Sequence, residues 1–146
     1  MAKIKTPEQF VAQFTPEYCI RKYDDIKTIR EASLTGYFKL REVKHVYGRS
    51  TVHAWLIYWI VDLCRVMDFE IDDYQIEQAS MFLYDNIYML NVSEVSLFFK
   101  KVKSGEFGIF YGKFNLQTLL IAAIEYRKQR GLEISKMPSE LQEKTL

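Results

Sequence analysis

The stretch Ser50-Thr51-Val52-His53-Ala54-Trp55-Leu56-Ile57-Tyr58-Trp59-Ile60-Val61-Asp62-Leu63-Cys64-Arg65-Val66-Met67 decides the fold. Its centre, Ala54 to Val61, reads at first as a strand, because every residue in it except Ala54 suits one. Length argues the other way, since strands run to about 8 residues and this apolar segment is longer. Ser50 also offers a side-chain oxygen to cap a helix. The segment is therefore read as a helix from Thr51 to Met67 that is apolar almost all round, and such a helix belongs in a core. Leu56 and Trp59 are expected to be fully buried.

Working outward, the flanking segments carry helical signals too. Leu40, Val43 and Tyr47 recur at i, i+3 and i+7 and are closed by Gly48 in a C-cap position. Further upstream, Thr6-Pro7-Glu8-Gln9 is a capping box with proline at the first helical position. Thr15-Pro16-Glu17 repeats the pattern and starts a second helix expected to run to about Ala32, before Thr35-Gly36 interrupts. Downstream of an acidic loop, Asp72 and Gln75 form another box, and Ile76, Ala79, Leu83, Ile87 and Leu90 make a helical stripe. Asn91 or Ser93 caps the next helix, which carries Val95, Phe98, Phe99 and Val102 and stops at Gly105. Asn115 caps a last long helix, with Leu119, Ala122, Ala123 and Tyr126 on its apolar side and Gly131 at its end. The fold class is all-α. One compact domain of six or seven helices is expected over residues 1–131, followed by a polar tail, 132–146, that frays or docks as a peptide.

At 146 residues, with ten Phe and ten Tyr, the chain suits one domain with a proper core. The net charge is only +1, so no global field draws it to nucleic acid or to a membrane. Its distribution is uneven. Residues 20–50 hold eight Lys or Arg against four acids, and 94–131 hold seven against three, so each block is +4. Residues 51–93 hold one Arg against seven acids, for −6. Two cysteines, Cys19 and Cys64, make no disulfide framework. The start, Met1 to Glu8, has no signal-peptide core, and no run reaches the ~18 apolar residues of a membrane span. A reducing, cytoplasmic setting without membrane attachment is the expectation.

No catalytic or metal signature emerges. The loop Gly105-Glu106-Phe107-Gly108-Ile109-Phe110-Tyr111-Gly112-Lys113-Phe114 sits beside lysines, yet a phosphate-binding loop needs Gly at 107 and Ser or Thr at 114, and both positions hold Phe. His45 and His53 with Cys64 do not assemble a zinc set. Asp68, Glu70, Asp72 and Asp73 lack the glycine and terminal Glu of a calcium loop. No serine lies in a nucleophile elbow. No catalytic, cofactor-binding or metal-ligating residue is therefore assigned, and the chain is expected to be non-enzymatic, with an uncatalogued enzyme as the remotest alternative. A helix-turn-helix across Gly48 fails because its second helix presents Trp55 to Ile60, which are core residues, where base-reading polar groups are needed.

Interest concentrates on the corner after Lys103. Three of the six glycines, Gly105, Gly108 and Gly112, fall within eight positions. Gly105 is expected at positive φ as a C-cap, and Phe107, Phe110 and Tyr111 are expected to turn inward. Lys100, Lys101, Lys103 and Lys113, joined by Arg127, Lys128 and Arg130, are expected to form an exposed basic face. Basic residues interleaved with Phe107, Phe110 and Tyr111 are also the ingredients of single-strand binding, provided that those rings face outward.

The order of features from about Leu40 to Gly131 resembles an uncharacterised family of small helical proteins encoded by phages and mobile elements of gut-type anaerobic bacteria. The matching residues are Tyr47-Gly48, Trp59-Ile60, Glu94 with Phe98-Phe99, the block Gly105 to Gly112, and Tyr126 with Arg130. The resemblance implies an accessory role in the element's DNA metabolism, with replication (helicase loading or modulation) as the process. The first expectation is thus a non-enzymatic adaptor that binds a protein partner. The second is a binder of single-stranded nucleic acid that uses Lys100, Lys101, Lys103, Phe107, Phe110, Tyr111, Lys113 and Arg130. Gly48, Gly105, Gly108, Gly112 and Trp59 are structural. Partner and oligomeric state are not legible at this level.

Overall fold

Three threonine oxygens start the first three helices. In the computed structural model, which describes residues 4–145, Thr6 Oγ accepts the Gln9 amide at 3.1 Å and the Gln9 side chain accepts the Thr6 amide at 3.2 Å. This box opens α1 (Pro7–Gln13). Thr15 and Thr28 open α2 (Pro16–Lys22) and α3 (Ile29–Thr35) through the amides of Tyr18 and Glu31. The single helix expected from Pro16 to Ala32 is therefore two. α2 stops at Tyr23, Asp24 and Asp25 carry a turn, and the Thr28 hydroxyl restarts the helix.

α4 (Leu40–Tyr47) and α5 (Arg49–Met67) meet at Gly48, whose φ is 100°. Gly48, and not Ser50, stands at the N-cap of α5, and Ser50 lies inside the helix. Asp72 with Gln75 opens α6 (Asp73–Ile87), Asn91 with Glu94 opens α7 (Val92–Lys103), and Asn115 caps α8 (Leu116–Ser135). A short α9 (Ser139–Lys144) follows. The described residues thus hold nine helices and no strand, against the six or seven expected. The surplus comes from the split at Asp24 and from α9. None of these helices is long and apolar enough to cross a membrane.

α5 runs through the middle of the bundle, packed against α1, α2, α4, α6 and α7. Leu56 and Trp59 are fully buried, together with Trp55, Ile60 and Leu63. The Trp59 ring stacks on Phe99 with centroids 5.2 Å apart, a contact of the size whose truncation to alanine costs about 3–5 kcal/mol. Trp55 donates its indole N–H to the Phe14 carbonyl at 2.6 Å and so ties α5 to the end of α1.

Asn91 joins three elements. Its Oδ1 accepts the Glu94 amide at 2.9 Å, and its Nδ2 donates to the Ala32 carbonyl at 3.0 Å. Ser93 Oγ donates to the same carbonyl at 2.7 Å. The carbonyls that α3 leaves unpaired at its end are thus satisfied from the start of α7. The chain at Gly36 passes so close that an added Cβ would fall 2.1 Å from Asn91 Oδ1, which leaves room for glycine alone.

Gly131 does not end the last long helix. α8 continues through it to Ser135. Beyond it, Met137 and Thr145 are buried.

Candidate functional site

The corner after α7 is built from backbone geometry. Gly105 has φ 77°, the left-handed conformation that a C-cap requires. Its amide donates to the Val102 carbonyl and the Glu106 amide to the Lys101 carbonyl, both at 3.1 Å. These two bonds are the paired closure of a Schellman turn. The flanking contact that is usually apolar is ionic here, with Lys101 Nζ 2.9 Å from Glu106 Oε1. Gly108 and Gly112 also have positive φ, at 131° and 80°.

Three phenylalanines pin the loop that follows. Phe107 lies edge-on to Tyr126 of α8 at 6.4 Å. Phe110 is buried against Phe69 at 5.2 Å and stacks on Phe114 at 5.9 Å. Tyr111, expected to turn inward with them, is 89% exposed. The reason is that Phe107, Phe110 and Phe114 already fill the places against Tyr126 and Phe69, so the Tyr111 ring is left to solvent. Ile109, on the other side of the buried Phe110 in sequence, is 63% exposed. Sequence reading picked out Tyr111 but missed Ile109, whose only signal was its place between Gly108 and Phe110 in the glycine-bounded loop.

The basic face is less open than expected. Lys100 and Lys113 are exposed, and Lys100 is pulled below the ordinary lysine range, first by the Lys27 ammonium beside it and then by burial. Lys101 is paired with Glu106 and lies 6.0 Å from the centre of the Phe107 ring. Lys103 is held 2.5 Å from Asp62 of α5, and both Lys101 and Lys103 are only part-exposed.

Arg130 corrects the expectation outright. It is 7% exposed, with Nε 2.6 Å from Glu94 Oε2 and Nη2 on the carbonyls of Met89 and Thr145. Glu94 is fully buried and also accepts from the Asn91 amide and the Tyr126 hydroxyl. Burial pushes its carboxyl up, against the opposing pull of Arg130. The group is an internal ion pair that locks α7 to α8 and to the chain after α9. It is not part of a surface. The rings of Phe107 and Phe110 and the guanidinium of Arg130 are thus withdrawn from the face that single-strand stacking would need, which leaves Tyr111, Lys100, Lys113, Arg127 and Lys128 outward.

A second open feature was not foreseen. A groove of about 940 Å³ runs along α5 and α6, floored by Ala54, Ile57, Val61, Ile76 and Met81. His53 borders it. Burial and then Arg49 hold its imidazole below the usual range, and Arg49 Nε donates to its Nε2 at 3.5 Å. The signal for this groove was the all-round apolar character of α5, which exceeds what its neighbours cover. No three His, Cys, Asp or Glu side chains among the described residues are placed to hold a metal ion.

No protein-family model, curated protein or solved structure matches the chain.

Proposed function

We propose that this chain is a non-enzymatic adaptor that binds a protein partner through the loop between α7 and α8. It would serve the DNA metabolism of the phage or mobile element to which the sequence resemblance points, with helicase loading or modulation as the process. The observation that carries the partner reading is the exposure of Ile109 and Tyr111 on a loop pinned by Phe107, Phe110 and Phe114. An exposed tyrosine on a rigid base loses little entropy on binding and is a preferred interface anchor. Loops held on a stable scaffold are the usual carriers of recognition. Lys113, exposed and two residues from Tyr111, would give the loop a positive cast that favours an acidic partner surface.

The test is affinity capture from a host carrying the element, followed by titration of the captured protein. Tyr111→Ala and Ile109→Ala should leave the thermal melt unchanged, and Tyr111→Ala should weaken binding by about 30-fold, the size of an interface hot spot. Tyr111→Phe should lose less. If both alanine variants bind the captured protein as the parent does, the loop is not the site. Salt-steep binding to single-stranded oligonucleotides that is lost on reversal of Lys100 and Lys113 would instead favour the nucleic-acid reading.

A further inference from the structure

α5 is apolar almost all round, yet the described residues leave one side of it part-open. Ala54, Ile57 and Val61 lie only part-covered where α5 borders α6. α5 and α6, joined by the short loop 68–72, form a two-helix layer whose outer groove is lined by apolar residues. A second layer of helices is what such a face ordinarily packs against.

The charges of the groove are sorted by end. Arg49 stands at the end where α5 begins, and Asp73 and Glu77 stand where α6 begins. Because the two helices run antiparallel, these are opposite ends of one trough. Placing two copies face to face in parallel would set Arg49 against Arg49 and carboxylates against carboxylates. Turning one copy end for end sets Arg49 of each copy toward Asp73 and Glu77 of the other, twice by symmetry. A twofold contact demands a face complementary to itself, and this face meets the demand in the antiparallel sense alone. Ala54, small and part-exposed, lies between these ends and permits close approach.

We propose that the open face of the α5–α6 hairpin is a contact between two copies of this chain, packed antiparallel about a twofold axis as a four-helix layer pair. The contact uses no residue of the Ile109–Tyr111 loop, although Phe110 packs on Phe69 in the turn beside the carboxylate end of the groove, and a dimer would carry two such loops on one particle.

Sedimentation equilibrium and light scattering on the full chain, from micromolar to near-millimolar concentration, test this. The parent should be dimeric, and Ile57→Glu should be monomeric with unchanged helix content. Arg49→Glu and Glu77→Arg are surface changes that should not disturb folding. Each should weaken the dimer by roughly tenfold, from two symmetric exposed pairs. The chain carrying both changes should recover most of the loss, because each copy again meets its opposite. A monomeric parent would overturn the proposal and leave a helix of another protein as the occupant of the groove. A dimer indifferent to Ile57→Glu, unaffected by the single reversals, or not restored by the double change would overturn it equally.

Discussion

Glu94 owes its position to two separate jobs. Through its backbone and carboxylate it completes the capping box that opens α7, with the Asn91 amide 3.2 Å from Oε1. Through the same carboxylate it faces Arg130 across the interior. Replacing Arg130 by Met keeps most of the volume but leaves that carboxylate without its cation. Breaking a buried pair in this way costs about 3–5 kcal/mol, and the loss should be read from urea melts at neutral pH. The pH dependence follows from burial, which holds the folded carboxyl above its ordinary value of 4.5. A raised carboxyl contributes most below its unfolded pKa, and that contribution is lost as pH rises through the folded one. Without Arg130 to oppose burial, the folded value moves further up, so the deficit of Arg130→Met should shrink as pH falls toward 4.5 and widen above it. A deficit equal at both ends of that range would mean that Glu94 is not the group being stranded. Adding Glu94→Gln to the variant should recover part of the loss at neutral pH, since a neutral amide has no buried charge to compensate.

Among the helices, two glycines make opposite claims on the chain. Gly105 lies at φ 77° at the end of α7, where an L side chain is strained even though the nearest atom to an added Cβ, on Ile109, is a comfortable 3.6 Å away. Gly131 lies inside α8 with no atom within 4 Å of an added Cβ and no positive φ. Gly105→Ala should therefore destabilise by about 1–2 kcal/mol. Gly131→Ala should stabilise by about 0.5–1 kcal/mol through helix propensity. Paired thermal or denaturant melts decide this, and two shifts of the same sign would refute the assignment. The same contrast shows what kind of element was legible. Thr6, Thr15, Asp72 and Asn115 announce helix starts because a cap acts within four residues, and all four cap as read. Gly131 was read as a stop because glycine often is one, but a helix held by Tyr126 and Arg130 to its neighbours tolerates it. Thr28 was passed over because Ile26 and Ile29 continue the apolar pattern across the break.

Across the whole molecule, legibility fell off with the sequence distance of the deciding contact. The corner itself was readable, since Gly105 closes its helix through bonds within one turn. The openness of the face was not, because Lys103 meets Asp62 41 residues away and Arg130 meets Glu94 36 away. The same reasoning separates regions by stability. α1, α2 and α3 are seven residues each, too short to persist without tertiary support, whereas α5 is nineteen residues with neighbours along its length. Cys19 in α2 and Cys64 in α5 report on the two regions, since both are buried thiols. Burial pushes Cys19 up to about 12 and Cys64 up to about 11, so at mild alkaline pH neither offers the reactive thiolate while folded. Reaction with an alkylating agent must then wait for opening. The static structure ranks Cys19 as the deeper, at 0% exposure against 4%. Local opening argues the reverse order, because the short N-terminal helices can detach while α5 stays packed. Native-state alkylation followed by peptide mass mapping should therefore label Cys19 first, with Cys64 modified only at the rate of global unfolding. Labelling of Cys64 ahead of Cys19 would show that α5 is the weaker element and that the bundle is not organised around it.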